Sequence, residues 1–131
     1  MLFRSDVLRA DGGTRTASIT GAAVAAEMAF QRLIARGEMK KSPMKELAAA
    51  VSAGVFEGEC VLDLNYPEDK DASVDFNYVM TEGLDLIEMQ GSGEEATFTE
   101  AQMLEMLALS KAGVTELCRL QREAIASFDP S

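Results

Sequence analysis

The stretch "ELAAAVSAGVFEGECVLDLNY" at residues 46–66 decides the fold, because it contains two strand-forming runs separated by a tight turn. Small and β-branched residues predominate in 46–56, and a second run with several apolar residues covers 60–66. The short turn between them contains Gly58, and a glycine in such a turn is typical of a β-hairpin. The stretch therefore predicts two antiparallel strands.

A second pair of strands follows at 73–80 and 84–90, joined across Glu82 and Gly83. Alternation along the first of these strands predicts two different faces. One face is apolar and carries Val74, Phe76, Tyr78 and Met80. The other carries Asp75, Asn77 and Val79.

Helices are predicted on both sides of the four strands. Apolar residues at helical spacing indicate a helix over 18–36, ended by Gly37 in a left-handed conformation. Thr99 followed by Gln102 is a capping-box pattern that begins a last helix reaching about 126, although Gly113 weakens that helix near its middle. The order predicts the α+β class, with a mostly antiparallel mixed sheet packed against helices.

The composition excludes some classes of catalytic site but does not identify the binding partner. The chain has 131 residues and a net charge of -10, with no histidine, so histidine-based triads and zinc sites are excluded. The excess of acid argues at first against nucleic acid, yet Arg9 and Arg15 flank a glycine pair. Charge alone leaves the partner undecided. Cys60 and Cys118 are expected to be buried thiols in a reducing cytosol, which predicts a cytoplasmic protein.

The segment "DGGTRTAS" at 11–18 has the residue types of a phosphate site. Glycines bring backbone N–H groups close to a ligand, and the following helix points its positive end there. Thr14 and Thr16 offer hydroxyl groups, and Arg15 offers a charged fork suited to phosphate oxygens. The alternative is an ordinary turn into a helix whose hydroxyl residue is a cap. Spacing alone leaves both interpretations open.

An acidic run at 63–77, "DLNYPEDKDASVDFN", suggests a metal site. A calcium loop starting at Asp63 fails, because Glu68 occupies the position that needs glycine and Val74 the position that needs glutamate. A magnesium site with one or two carboxylates shared with substrate phosphates fits better. A solvated acidic loop explains the same run, and from spacing alone it is the more common explanation.

Four segments together resemble ribonuclease PH, in the family's order and spacing. The resemblance covers 6 to about 126, and the segments are "DVLRADGGTRTASITGA", "MKKSPMKELAAAVSAGV", "LDLNYPEDKDASVDFNYVMT" and "IEMQG". It implies a phosphate-dependent 3′-to-5′ exoribonuclease that trims the 3′ end of tRNA precursors and releases nucleoside diphosphates. The implied fold is the family's, of the ribosomal protein domain 2-like β-α type.

The resemblance also implies site residues at the matching positions. Gly13, Thr14 and Arg15 would hold the attacking inorganic phosphate, with Arg15 also catalytic. Asp69 and Asp75 match the family's catalytic carboxylates, which are taken to bind Mg²⁺. The implied parent is a hexameric ring that binds RNA. The alternatives are a non-catalytic ring subunit of exosome type and an inactive truncated fragment.

The resemblance divides the chain into three parts. Residues 1–5 are expected to be a leader foreign to the family. An artefactual origin is one explanation, since "LFRS" is also what the end of a common sequencing adapter can encode. Residues 6–126 match the C-terminal part of the ribonuclease PH domain, and 127–131 form a tail. Because family members are about twice as long, the N-terminal half of the domain is expected to be missing. We then expect unpaired sheet edges and uncovered apolar surface.

Overall fold

A computed structural model describes residues 4–9, 13–62, 74–93 and 96–131. In these ranges the chain forms two helices and four strands, which we number in chain order. They are α1 (Thr14–Ala35), β1 (Ala48–Phe56), β2 (Glu59–Leu62), β3 (Val74–Thr81), β4 (Leu86–Gly93) and α2 (Glu100–Ala126). The sheet has the order β2-β1-β3-β4, and every pairing in the described part is antiparallel. The α+β prediction is confirmed.

The first hairpin has the turn that its sequence requires. Phe56 pairs with Glu59, so only Glu57 and Gly58 lie in the loop. Their φ angles are 51° and 82°. A two-residue loop with positive φ at both positions twists in the same sense as its strands, and glycine carries the least steric cost there. Gly58 therefore fixes the register of β1 against β2.

Three element starts differ by two residues or more from the sequence-based prediction, among them β1, which begins at Ala48 and not at 46. The first helix begins at Thr14 and not at 18, because Gly13 adopts a left-handed conformation with φ 77° and the helix follows directly. The last strand begins at Leu86, because the turn before it is longer than two residues. Leu84 has φ 69° in this turn, and Asp85 donates its N–H to the Thr81 hydroxyl.

The main core lies between α2 and one face of the sheet. The apolar face predicted for β3 is confirmed, and β1 contributes a matching row. The Tyr78 hydroxyl donates to the Met103 carbonyl of α2 at 3.4 Å. Gly113 does not interrupt α2, and a Cβ there would come within 2.8 Å of Leu62 Cδ2. The missing side chain lets α2 pack close to the sheet.

Helix α1 is attached to β1 by side-chain hydrogen bonds. The Thr20 hydroxyl accepts from the Ala50 N–H at 3.0 Å and donates to the Ala50 carbonyl at 3.4 Å. Gln121 of α2 donates its amide to the carbonyls of Thr20 and Ala48 at 3.0 and 2.9 Å. The two helices and the longest strand are thereby joined at one point.

Strand β4 lies at the edge of the sheet, where its outer side meets no other described strand. Its apolar residues Leu86, Ile87 and Met89 are 49%, 58% and 48% exposed. No described part of the chain covers this apolar surface of β4. None of the helices in the described ranges is both long enough and apolar enough to cross a membrane.

Candidate functional site

The start of α1 has the properties of an anion site. Gly13 occupies the N-cap with φ 77°, no side chain of the described residues forms the N-cap hydrogen bond, and the first turn contains no acidic residue. The N–H groups and the positive dipole end at the start of a helix favour a bound anion. A Cβ at Gly13 would come within 3.2 Å of Thr16 Oγ1, so glycine is favoured there by space as well as by φ.

Two hydroxyl groups near the start of α1 donate to backbone carbonyls of the same segment. Thr16 is 7% exposed and donates its hydroxyl proton to the Gly13 carbonyl at 2.8 Å. Ser18 likewise donates to the Thr14 carbonyl at 2.8 Å. The expectation that Thr16 donates to a ligand is therefore wrong, because its proton is used inside the helix. Thr14 is the first residue of α1 and only partly buried.

The side chain of Arg15 extends from α1 to β4, the edge strand of the sheet. Its Nη2 lies 2.8 Å from Oε1 and 2.9 Å from Oε2 of Glu88 on β4. The two side chains are 51% and 41% exposed. Both carboxylate oxygens thus accept from a single amino group of the guanidinium.

Strand register puts Glu88 and Asp75 on the same face. Glu88 pairs with Val79 and Ser92 pairs with Asp75, and residues directly opposite each other in antiparallel strands point to the same side. Because side chains alternate along a strand, Asp75 shares this side with Val79. Asp75 lies four positions from Val79 along β3, which is about 13 Å at the usual rise per residue. Arg15 and Asp75 thus lie at one face.

The second carboxylate of the sequence-based prediction, Asp69, lies outside the described residues, as do residues 11 and 12. The described ranges contain no group of three residues that could hold a metal by themselves. Mg²⁺ is usually held by one or two carboxylates together with substrate phosphates, and needs no all-protein cage. The oxygen donors of Asp75 and Asp69 are of the type that suits this ion.

Glu88 has no role in the sequence-based prediction. It belongs to the segment "IEMQG", but it is 73 positions from Arg15 in the sequence. Alternation on β4 was a usable signal, since it places Glu88 and Gln90 on one side. The register between β3 and β4 decides which face of β3 lies beside Glu88. The alternation along β4 does not give this register.

Comparison with known proteins identifies the class. Residues 46–113 match the family model described as "3' exoribonuclease family, domain 2", which covers just over half of the chain. The chain therefore belongs to this family. The resemblance to the C-terminal half of ribonuclease PH is confirmed.

Two curated relatives carry the name ribonuclease PH. The protein of Crocosphaera subtropica is 53% identical over 121 residues, which are 92% of this chain and 50% of the relative. The protein of Acaryochloris marina is 50% identical over 127 residues, which are 97% of this chain and 53% of the relative. The chain thus spans about half the length of the curated relatives it matches.

Solved structures share the fold. Rice (Oryza sativa) Rrp46 superposes with a TM-score of 0.69 at 22% identity, covering 89% of this chain and 50% of the other. An archaeal exosome core gives a TM-score of 0.55 at 17% identity, covering 62% of this chain and 32% of the other. At these identities the likeness establishes the arrangement of helices and strands and nothing finer.

Proposed function

We propose that this chain is the C-terminal half of a phosphate-dependent 3′-to-5′ exoribonuclease. Its substrate would be the 3′ end of an RNA, with tRNA precursors as the natural case, and its co-substrate inorganic phosphate. The observation that carries the proposal is that Arg15, through Glu88, and Asp75 belong to one face of the sheet. A cation for an attacking anion and a carboxylate for a metal are thereby available at one surface.

The reaction needs two anions to approach each other. An oxygen of inorganic phosphate attacks the phosphorus of the last phosphodiester, a new P–O bond forms, and the bond to the 3′ oxygen breaks. A nucleoside diphosphate is released, and the 3′ oxygen of the shortened RNA takes up a proton from solvent. Repulsion between the two anions is the main obstacle, and fixed positive charge lowers it.

Residues of this chain supply that positive charge. Arg15 would bind the attacking phosphate together with N–H groups of the first turn after Gly13, and Thr14 would add its hydroxyl. A dianionic phosphate needs no general base, which is consistent with a chain that has no histidine. Asp75 and Asp69 would hold Mg²⁺, which when bound stabilises negative charge on the leaving 3′ oxygen.

Assembly of the whole enzyme is part of the proposal. The exposed apolar residues of β4 and its open edge support contact with further protein, which we assign to the N-terminal half of the domain. The complete enzyme would form a hexameric ring in the cytoplasm. Residues 6–126 would be the domain portion, with 1–5 and 127–131 outside it.

The deciding experiment uses a 3′-extended tRNA, Mg²⁺ and radiolabelled phosphate. The chain is tested alone and mixed with a separately expressed N-terminal half of the Crocosphaera subtropica relative. We expect labelled nucleoside diphosphate from the mixture, and a rate at least about 100-fold lower with Arg15→Ala or Asp75→Asn. The matched control is Glu116→Gln, which removes one charge on the exposed face of α2.

Two other outcomes would point away from phosphorolysis. RNA retained on a filter without any labelled diphosphate would identify a non-catalytic, RNA-binding subunit. Absence of both binding and product, in the mixture as well as alone, would identify an inactive fragment. Product that persists in both Arg15→Ala and Asp75→Asn would show that the reaction occurs at other residues.

A further inference from the structure

The carboxylate of Glu88 is the described partner of the arginine that the proposed function assigns to phosphate. We propose that Glu88 is a positioning residue: by binding Nη2 it holds the guanidinium of Arg15 at the start of α1 with its other donors directed to phosphate. The inference rests on the proposed function, because that function assigns phosphate to Arg15. The contact between Arg15 and Glu88 does not depend on it.

The hydrogen-bond pattern supports positioning over simple charge neutralisation. Both oxygens of Glu88 accept from Nη2, at 2.8 and 2.9 Å. The guanidinium also carries N–H donors on Nε and Nη1, which this contact leaves unused. A phosphate can therefore bind the remaining donors while Glu88 keeps its own, so that the two anions occupy different sides of one planar cation.

Flexibility explains why such a partner is useful. Arg15 has a long side chain that is 51% exposed on the first turn of a helix, and without a partner it would sample many rotamers. Glu88 extends from a strand, whose backbone is held by the sheet. The pair thus connects a mobile cation to a fixed point on the face that carries Asp75.

The opposite role is also chemically sensible, and it makes a different prediction. A carboxylate resembles two oxygens of phosphate, so Glu88 would compete with phosphate if binding needed Nη2. Removing the carboxylate would then strengthen phosphate binding. Under the positioning role its removal weakens binding, because the guanidinium loses its orientation. The sign of the change separates the two roles.

The test uses the full 131-residue chain with inorganic phosphate as the probe, in wild type, Glu88→Gln, Glu88→Asp and the matched control Glu116→Gln. We expect Glu88→Gln to raise the dissociation constant for phosphate about two- to fivefold, the size of effect typical of a half-exposed ion pair. Glu88→Asp keeps the charge and is expected to restore part of the affinity. Glu116→Gln is expected to leave the dissociation constant unchanged.

A second readout reports orientation without any ligand. In a spectrum of ¹⁵N-arginine-labelled protein we expect an ordered Arg15 Nε–H signal in wild type and in Glu116→Gln, and a mobile one in Glu88→Gln. In an Arg15→Lys background, Glu88→Gln is expected to have no further effect on phosphate binding, because lysine has no planar fork to orient.

The outcomes separate the two hypotheses. Phosphate binding that is unchanged or tighter in Glu88→Gln, or an Arg15 signal that stays ordered in that variant, overturns the positioning role while leaving the proposed function intact. A wild-type chain that binds no phosphate, even with an ordered Arg15 signal, overturns the phosphate site on which the proposed function depends.

Discussion

The ring of Phe76 on β3 lies directly over Gly91 on β4, its partner in the sheet. A Cβ built at Gly91 would come within 2.2 Å of Phe76 Cζ. The ring cannot easily move away, because Phe98 packs edge-on against it at 4.9 Å and Tyr78 stacks on it at 5.5 Å. The glycine that ends the segment "IEMQG" is therefore a packing requirement of the main core.

We predict that Gly91→Ala lowers the free energy of unfolding by about 1–3 kcal/mol, because the added methyl group overlaps a ring held on two other sides. The measurement is urea denaturation followed by circular dichroism. Gly21→Ala is the control. Gly21 lies in α1 with nothing within 4 Å of an added Cβ, so alanine there is expected to stabilise by about 1 kcal/mol through helix propensity. A Gly91→Ala protein as stable as wild type would contradict this packing.

Gly113→Val is expected to destabilise by about 1–3 kcal/mol, since its Cβ would lie 2.8 Å from Leu62 Cδ2 and 3.3 Å from Val51 Cγ1. Ala112→Val is the matched control, because its side chain is on the exposed side of the same helix. The control is expected to cost less than about 1 kcal/mol, from helix propensity alone. Equal midpoints for the two variants in thermal unfolding would contradict close packing at Gly113.

Glu82 gives a pH-dependent prediction. Arg122 donates to both of its carboxylate oxygens, at 2.8 and 2.6 Å, and this hydrogen bonding lowers the pKa of Glu82 below its ordinary value of 4.5. Because the pKa of Glu82 is lower in the folded state, its ionisation stabilises the protein at pH values above the ordinary pKa. This contribution disappears as pH falls through the lowered pKa.

We therefore expect Glu82→Gln to lose about 1 kcal/mol of stability at pH 7. The difference from wild type is expected to shrink steadily once the pH is below 4.5. Urea midpoints at a series of pH values measure it. Glu59→Gln, at an exposed position of β2, is expected to differ little from wild type across the series. A loss of stability in Glu82→Gln that is constant down to pH 3 would rule out the ion pair as its source.

Gln121 joins both helices to β1, and we predict that Gln121→Met destabilises by about 1–3 kcal/mol. The variant keeps the length of the side chain but removes the donor shared by the Thr20 and Ala48 carbonyls. Gln90→Met, at an exposed position of β4, is the control and is expected to be nearly neutral. Hydrogen exchange measures the local effect, and protection of the Ala50 N–H is expected to fall only in Gln121→Met.

The strands and helices could be predicted from sequence because their signals are local. Gly58 in its turn and the alternation around Tyr78 specify nearby backbone, and the structure agrees with both predictions. The start of α1 was placed too late because a left-handed Gly13 at an N-cap leaves little trace in apolar spacing. The partner of Arg15 could not be found at all, since it depends on the pairing of β3 with β4 and on the course of α1.

The hydroxyl of Thr20 takes the place of a neighbouring strand for Ala50, accepting its N–H and donating to its carbonyl. An uncapped strand normally invites strands from other molecules, which is how amyloid-like growth begins. Here a foreign strand would find those backbone groups already satisfied and a helix in its path. One threonine thereby closes the middle of the longest strand to pairing with a strand of another molecule.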